Sequence, residues 1–196
     1  MKKVSAFSLA LLAAAICGGA PESESGRVSA PQFTKDNELI RPKDYREWIY
    51  LTSGLGMSYG SDAMESADPP FDNVFVQPAA YRAFLESGKW PDKTIFVLEN
   101  RASKVHGSIN KAGHFQSELV GVEAAVKDES RFPDKWAYFA FGGGSSIRDT
   151  AKAFPSSACH SCHNQNGAVE NTFVQFYPTL LPVARAKGTL KASYRP

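Results

Sequence analysis

Residues 115–126 read FQSELVGVEAAV, and residues 135–141 read KWAYFAF. The first is a long run of apolar and β-branched side chains with polar residues set between them. The second is crowded with aromatics. Both compositions suit a pleated, half-buried surface, so both read as β-strands joined by a polar hairpin connection. Residues 94–99 (TIFVLE) and 73–77 (NVFVQ) read the same way. Pro91-Asp92-Lys93 makes the turn before residues 94–99. Residues 78–85 (PAAYRAFL) read as a short helix with Pro78 in its first turn. Four strands linked by loops and a hairpin predict an α+β fold, a mainly antiparallel β-sheet with flanking helices in a single domain.

The remaining segments are placed around that sheet. Residues 42–52 (PKDYREWIYLT) set Tyr45, Trp48, Ile49 and Leu51 at mostly helical spacing, which predicts a helix. Residues 54–70, rich in Gly, Ser, Asp and Pro, predict a long loop. Residues 101–113 predict a polar loop. Gly142-Gly143-Gly144 ends the aromatic strand. A short helix is expected from about residue 147. Residues 172–186 predict a closing helix that Pro178 and Pro182 kink or interrupt.

Downstream of the sheet, Cys159-His160-Ser161-Cys162-His163 spells C-x-x-C-H, the attachment pattern of a c-type haem. Two thiols add to the vinyl groups along one edge of a porphyrin. Two intervening residues give the backbone that reach, and the adjacent histidine falls under the iron. This predicts one covalently attached haem c per chain, bound through Cys159 and Cys162, with His163 as the iron ligand. A zinc site would need two more soft or imidazole ligands at regular spacing. The other candidates are His106, His114, His160 and Cys17, and they are not so spaced. A redox dithiol should open a helix after a strand in a βαβ unit, and no such unit precedes this motif.

Haem of this type is attached outside the bacterial cytoplasm, and the N-terminus supplies an export pattern. Lys2 and Lys3 precede an apolar stretch over residues 4–16, interrupted only by Ser5 and Ser8. That stretch is short for a bilayer span and suits a secretory signal. Cys17 stands where a bacterial lipoprotein carries its lipidated cysteine, although Ile16 before it is larger than usual there. A lipid anchor at Cys17 and an ordinary cleaved signal both fit. The predicted division is a signal over residues 1–17, a flexible tether over 18–37 and a haem domain over 38–190. The expected location is the periplasm, free or as a membrane-anchored lipoprotein.

Composition narrows the partners. The chain has three cysteines, so two remain beyond the signal, and both belong to the motif. Removing Lys2 and Lys3 from 22 basic residues leaves 20, equal to the 20 acidic ones. No basic block points to nucleic acid.

A wider set of residues then becomes informative. Tyr45-Arg46-Glu47-Trp48 is followed by Val74-Phe75-Val76 with Pro78, Ala80 and Tyr81, and by Pro91-Asp92. Next come residues 121–128 (GVEAAVKD), Arg131-Phe132, Trp136-Ala137-Tyr138, the haem motif and residues 173–178 (FVQFYP). In this order they resemble the cytochrome P-460 family and its relatives the cytochromes c′-beta, over about residues 38–185. The resemblance implies an antiparallel sheet with helices, commonly dimerised through the sheet. It implies a five-coordinate haem with His163 proximal and a distal face open to small nitrogen-containing molecules.

The family divides by chemistry. One branch cross-links a lysine to the haem and oxidises hydroxylamine or nitric oxide. The other lacks that lysine and binds nitric oxide or similar gases beneath a phenylalanine-containing apolar cap. The cross-linking lysine belongs four residues past the threonine of the strand after the Pro-Asp turn. Here Thr94 leads to Leu98, which has no nucleophilic nitrogen. This favours the c′-beta branch, with Leu98 and Phe71 as the apolar haem-facing cap, although both also suit ordinary core packing. Arg148 or Asp149 would be a distal polar group if the helix start faces the haem, and otherwise a solvated surface. Met57, with Met64 nearby, would be a sixth ligand in an electron carrier. Three functions follow: a nitric oxide-binding cytochrome, an oxidoreductase acting on hydroxylamine, nitric oxide or peroxide with a redox partner cytochrome, and a methionine-ligated electron-transfer protein.

Overall fold

A computed structural model describes residues 28–59 and 67–195. Seven strands and three α-helices are formed there. The strands are β1 (Leu39–Ile40), β2 (Ile49–Leu55), β3 (Phe71–Val76), β4 (Ile95–Lys104), β5 (Phe115–Lys127), β6 (Trp136–Gly142) and β7 (Thr150–Ala151). The helices are α1 (Pro78–Ser87), α2 (Ser156–Asn166) and α3 (Leu181–Lys187). Strands β2 to β6 form one antiparallel sheet in sequence order, and β1 pairs with β7 in a small second sheet. The α+β architecture expected from the strand pattern is therefore present.

β4 is the central strand of the five. Ile95, Phe96 and Val97 are all buried, as a strand covered on both faces requires. Alternation then sends its side chains to two different cores. Ile95 and Val97 join Leu39, Tyr45, Val122 and Phe139 on one face. Phe96 joins Val76, Phe84, Trp90, Trp136 and Tyr177 on the other. α1 flanks this second face through Ala80 and Phe84, with Pro78 at its start and Gly88 closing it at φ 70°.

Several expectations need correction. Residues 42–52 are not one helix: a single 3₁₀ turn over Tyr45–Glu47 gives way to β2. The β-branched and aromatic run Ile49-Tyr50-Leu51-Thr52 gains a backbone partner in β3 that local helical spacing cannot supply. No α-helix starts near residue 147: a 3₁₀ turn over Gly144–Ser146 ends there, Thr150–Ala151 pairs with β1, and the helix begins at Ser156 after Pro155. The closing segment is split into a 3₁₀ turn, Val174–Phe176, and α3, with Pro178 between them. The signal over residues 1–17 lies outside the described residues, as do Met64 and the first part of the tether. The tether's last ten residues are part of the fold. Phe33 packs on Phe132 and Phe139, and Ser29 accepts a hydrogen bond from Gln77 at 2.6 Å.

Candidate functional site

α2 carries the C-x-x-C-H motif and buries none of its own side chains fully. It holds few strong helix formers, so neighbours must fix it in place. Its anchor is the segment that follows. Gly167 donates its N–H to the His163 carbonyl at 2.9 Å and ends the helix. A tight turn over residues 169–172 then brings the Asn171 carbonyl to 2.9 Å from His163 Nδ1. A carbonyl only accepts, so Nδ1 carries the proton and Nε2 keeps its lone pair. Burial holds the His163 pKa below the usual imidazole range, against an opposing effect of this hydrogen bond. The ring is packed between Tyr138 and Phe173, with centroids at 4.2 Å and 4.5 Å.

Between α2 and the sheet lies a cavity of about 390 Å³. His163 and Cys159 border it from the helix side, and Met57 and Tyr59 from the loop after β2. Leu98 lines it from the middle of β4, flanked by Val74 on β3 and Glu123 on β5. A larger cavity of about 470 Å³, between residues 29–48 and the start of α1, does not touch the motif.

Of the residues singled out from the sequence, Leu98, Met57, Cys159 and His163 line this cavity. Leu98 stands at the sheet position facing the motif helix, and Met57 also reaches the cavity. Its thioether packs against Gly54, where an added Cβ would meet the sulfur and make the flexible Met57 side chain shift. Cys162 is exposed and is not among the cavity-lining residues, but its thiol is close enough to Tyr59 and Tyr138 of that lining to add to the rise that burial gives their pKa. Phe71 is a correction. Asp72 and Val74 line the cavity, so alternation along β3 sends Phe71 to the opposite face. Arg148 and Asp149 are not there either: Arg148 donates to the Ala140 carbonyl at 2.7 Å, and Asp149 pairs with Arg41 and Lys43. His106, His114 and His160 do not line the cavity.

The cavity is also not purely apolar, as a simple gas-binding cap would be. Asp72, Asn100 and Glu123 border it beside Leu98. Glu123 has exposed surface, yet desolvation among the sheet side chains is the leading influence and raises its pKa, with the Asp72 charge adding to it. Burial likewise raises Asp72. The signal for Glu123 was a lone acid in the run GVEAAV, out of phase with Val122, Ala124 and Val126.

The cytochrome P460 family model matches residues 42–174. The chain belongs to the cytochrome P460 family. Among curated proteins no match was found. Membership makes the protein a cytochrome and implies binding of haem c. The site residues of this cytochrome P460 chain fit such a group. The imidazole has one nitrogen committed to a carbonyl and the other available, and a thiol stands at the cavity edge. The Tyr138 hydroxyl is buried beside the cavity and has no hydrogen-bond partner among the described residues, so it is available to a bound group. Among the described residues, no group of three His, Cys, Asp or Glu side chains is placed to hold a bare metal ion.

Proposed function

We propose that this cytochrome holds one haem c through Cys159 and Cys162, with His163 as the iron ligand. We propose further that it takes nitric oxide or a similar small nitrogen species on an open face. When bound, the haem iron supplies the ligand-binding centre and a one-electron couple. The observation that carries this reading is the His163 arrangement: Nδ1–H is donated to Asn171, leaving Nε2 free in a ring that borders the cavity. The chain's own residues do the rest. Leu98 and Val74 present hydrocarbon and exclude water, which favours neutral ligands over hydrated anions. Desolvation raises the Glu123 pKa, so it holds its proton to higher pH than an ordinary glutamate and, while protonated, can donate a hydrogen bond.

Glu123 and Asp72 also support a second reading, an oxidoreductase acting on hydroxylamine or nitric oxide. Proton-coupled chemistry needs an acid or base beside the reacting ligand, and these two groups are in that wall. Leu98 argues against a lysine cross-link in either case. Export to the periplasm, by cleaved signal or lipid anchor at Cys17, belongs to the same proposal on the strength of residues 1–17. So does a homodimer, favoured by the open edge strand β2 with exposed Tyr50 and Leu55.

The test is an optical spectrum of the purified holoprotein, ferric and ferrous, with and without nitric oxide. An ordinary high-spin ferrous c-type spectrum that converts fully on adding the gas supports the open site. A low-spin ferrous spectrum that resists the gas overturns it in favour of Met57 ligation. Steady turnover of hydroxylamine with a dye acceptor selects the second reading.

A further inference from the structure

We propose that Lys127 and Glu170 are positioning residues for the proximal histidine. Their ion pair locks the turn over residues 169–172 so that the Asn171 carbonyl meets His163 Nδ1. The proposal rests on the reading of His163 as the iron ligand.

Lys127 is the last residue of β5 and is buried, 5% exposed. A buried ammonium is costly unless its donors are used. Lys127 Nζ donates to the Trp90 carbonyl at 2.7 Å and to Glu170 Oε1 at 3.1 Å. It also lies 3.0 Å from Glu170 Oε2 and 3.4 Å from Glu129 Oε1. Glu170 is one residue before Asn171 and adopts φ 50°, the left-handed region in which glycine or asparagine is the usual occupant. A glutamate in that conformation needs a compensating interaction, and its ion pair with the buried lysine supplies one.

The turn is held at its other end as well. Thr172 N–H donates to the Val169 carbonyl at 3.0 Å, closing the turn. The Trp90 indole N–H donates to Thr172 Oγ1 at 2.9 Å, and that hydroxyl donates to the Val169 carbonyl at 2.7 Å. Lys127 therefore joins both supports, through the Trp90 carbonyl on one side and Glu170 on the other. A closed ring of contacts runs from β5 through Trp90, Thr172 and Glu170 back to Lys127. Asn171 sits inside it, with its carbonyl aimed at the histidine. A firmly held acceptor makes the imidazole a stronger electron donor, which favours ferric over ferrous iron.

The test compares Lys127→Met and Glu170→Gln in the holoprotein, by midpoint potential and by the iron–histidine stretching band of the ferrous form. If the ring positions Asn171, both variants weaken the same hydrogen bond. Both then shift the ferric–ferrous balance at least threefold toward ferrous, about 28 mV upward from 59 mV per tenfold, and both lower the stretching frequency. A through-space charge effect predicts opposite signs: loss of a cation lowers the potential and loss of an anion raises it. Opposite signs with an unmoved band overturn the proposal, as does no change in either variant. Should Lys127→Met fail to fold, Glu170→Gln and Glu170→Gly decide by the band alone, since glycine accepts φ 50° while removing the ion pair. A parent protein lacking any iron–histidine band would instead refute the assignment of His163.

Discussion

Gly167→Ala tests the coupling between the haem helix and the turn beneath it. Gly167 is not in the left-handed region, its φ being −66°, so an alanine carries no backbone penalty there. The obstacle is space alone. A Cβ built at residue 167 would lie 2.7 Å from the His163 carbonyl oxygen, 2.8 Å from the Thr172 nitrogen and 3.0 Å from the Asn171 carbonyl carbon. All three are backbone atoms and cannot rotate away. Restoring ordinary contact at roughly 3.4 Å requires shifts of about half an ångström, and overpacking of this kind costs about 1–3 kcal/mol. For a domain of this size each kcal/mol lowers Tm by about 2–4 °C, so the expected loss is about 2–12 °C. The displaced group is the Asn171 peptide, so the 2.9 Å bond from His163 Nδ1 should lengthen as well. Thermal unfolding of the holoprotein, followed with the ferrous iron–histidine band, reads both effects. An unchanged Tm together with an unchanged band would refute the claim that helix and turn are packed to contact at this point.

Three further outcomes are expected. Leu98→Lys places an amine between Val74 and Glu123 at the cavity wall; after maturation it should show a red-shifted ferrous Soret band, and a spectrum and mass pattern like the parent's would mean that the site cannot form the cross-link. Glu123 has a raised pKa, so the folded state keeps a proton that the unfolded chain has lost, and stability falls as pH rises through the folded value. In Glu123→Gln that component of the slope should vanish in denaturant titrations run from about pH 4 to 8, the range above the unfolded glutamate value, and a parent-like slope would count against it. On the opposite face of the sheet, the buried Tyr45 hydroxyl donates to Glu99, which also accepts from Arg101 at 2.5 Å. Tyr45→Phe should lower stability by about 1–3 kcal/mol without moving the haem spectrum; chemical denaturation paired with an absorption scan checks both halves.

The strand pattern was legible because alternation and composition are local. Residues 115–126 and 135–141 became β5 and β6 with boundaries displaced by a residue, and α1 appeared where Pro78 announced it. Segments went astray where a long-range partner outweighed local preference. Tyr45, Trp48, Ile49 and Leu51 have mostly helical spacing, but β3 offers residues 49–55 a ladder of hydrogen bonds, and residues 150–151 pair with β1 rather than starting a helix. The resemblance implies Phe71 in the cavity cap, but a single step along the pleat puts it on the face opposite Asp72 and Val74.

For the site, the sequence by itself supplied two thiols and an imidazole in a C-x-x-C-H pattern, and Leu98 at the position where the resemblance implies a lysine in the cross-linked branch. Covalent spacing is a property of adjacent residues and survives any fold. Only the tertiary structure decided what surrounds them. It brought Glu123 and Asp72 to the wall beside Leu98, sent Arg148 and Asp149 elsewhere, and set the Asn171 carbonyl against His163. Those relations join residues up to about a hundred positions apart. They depend on strand register and on one tight turn, which no local pattern encodes.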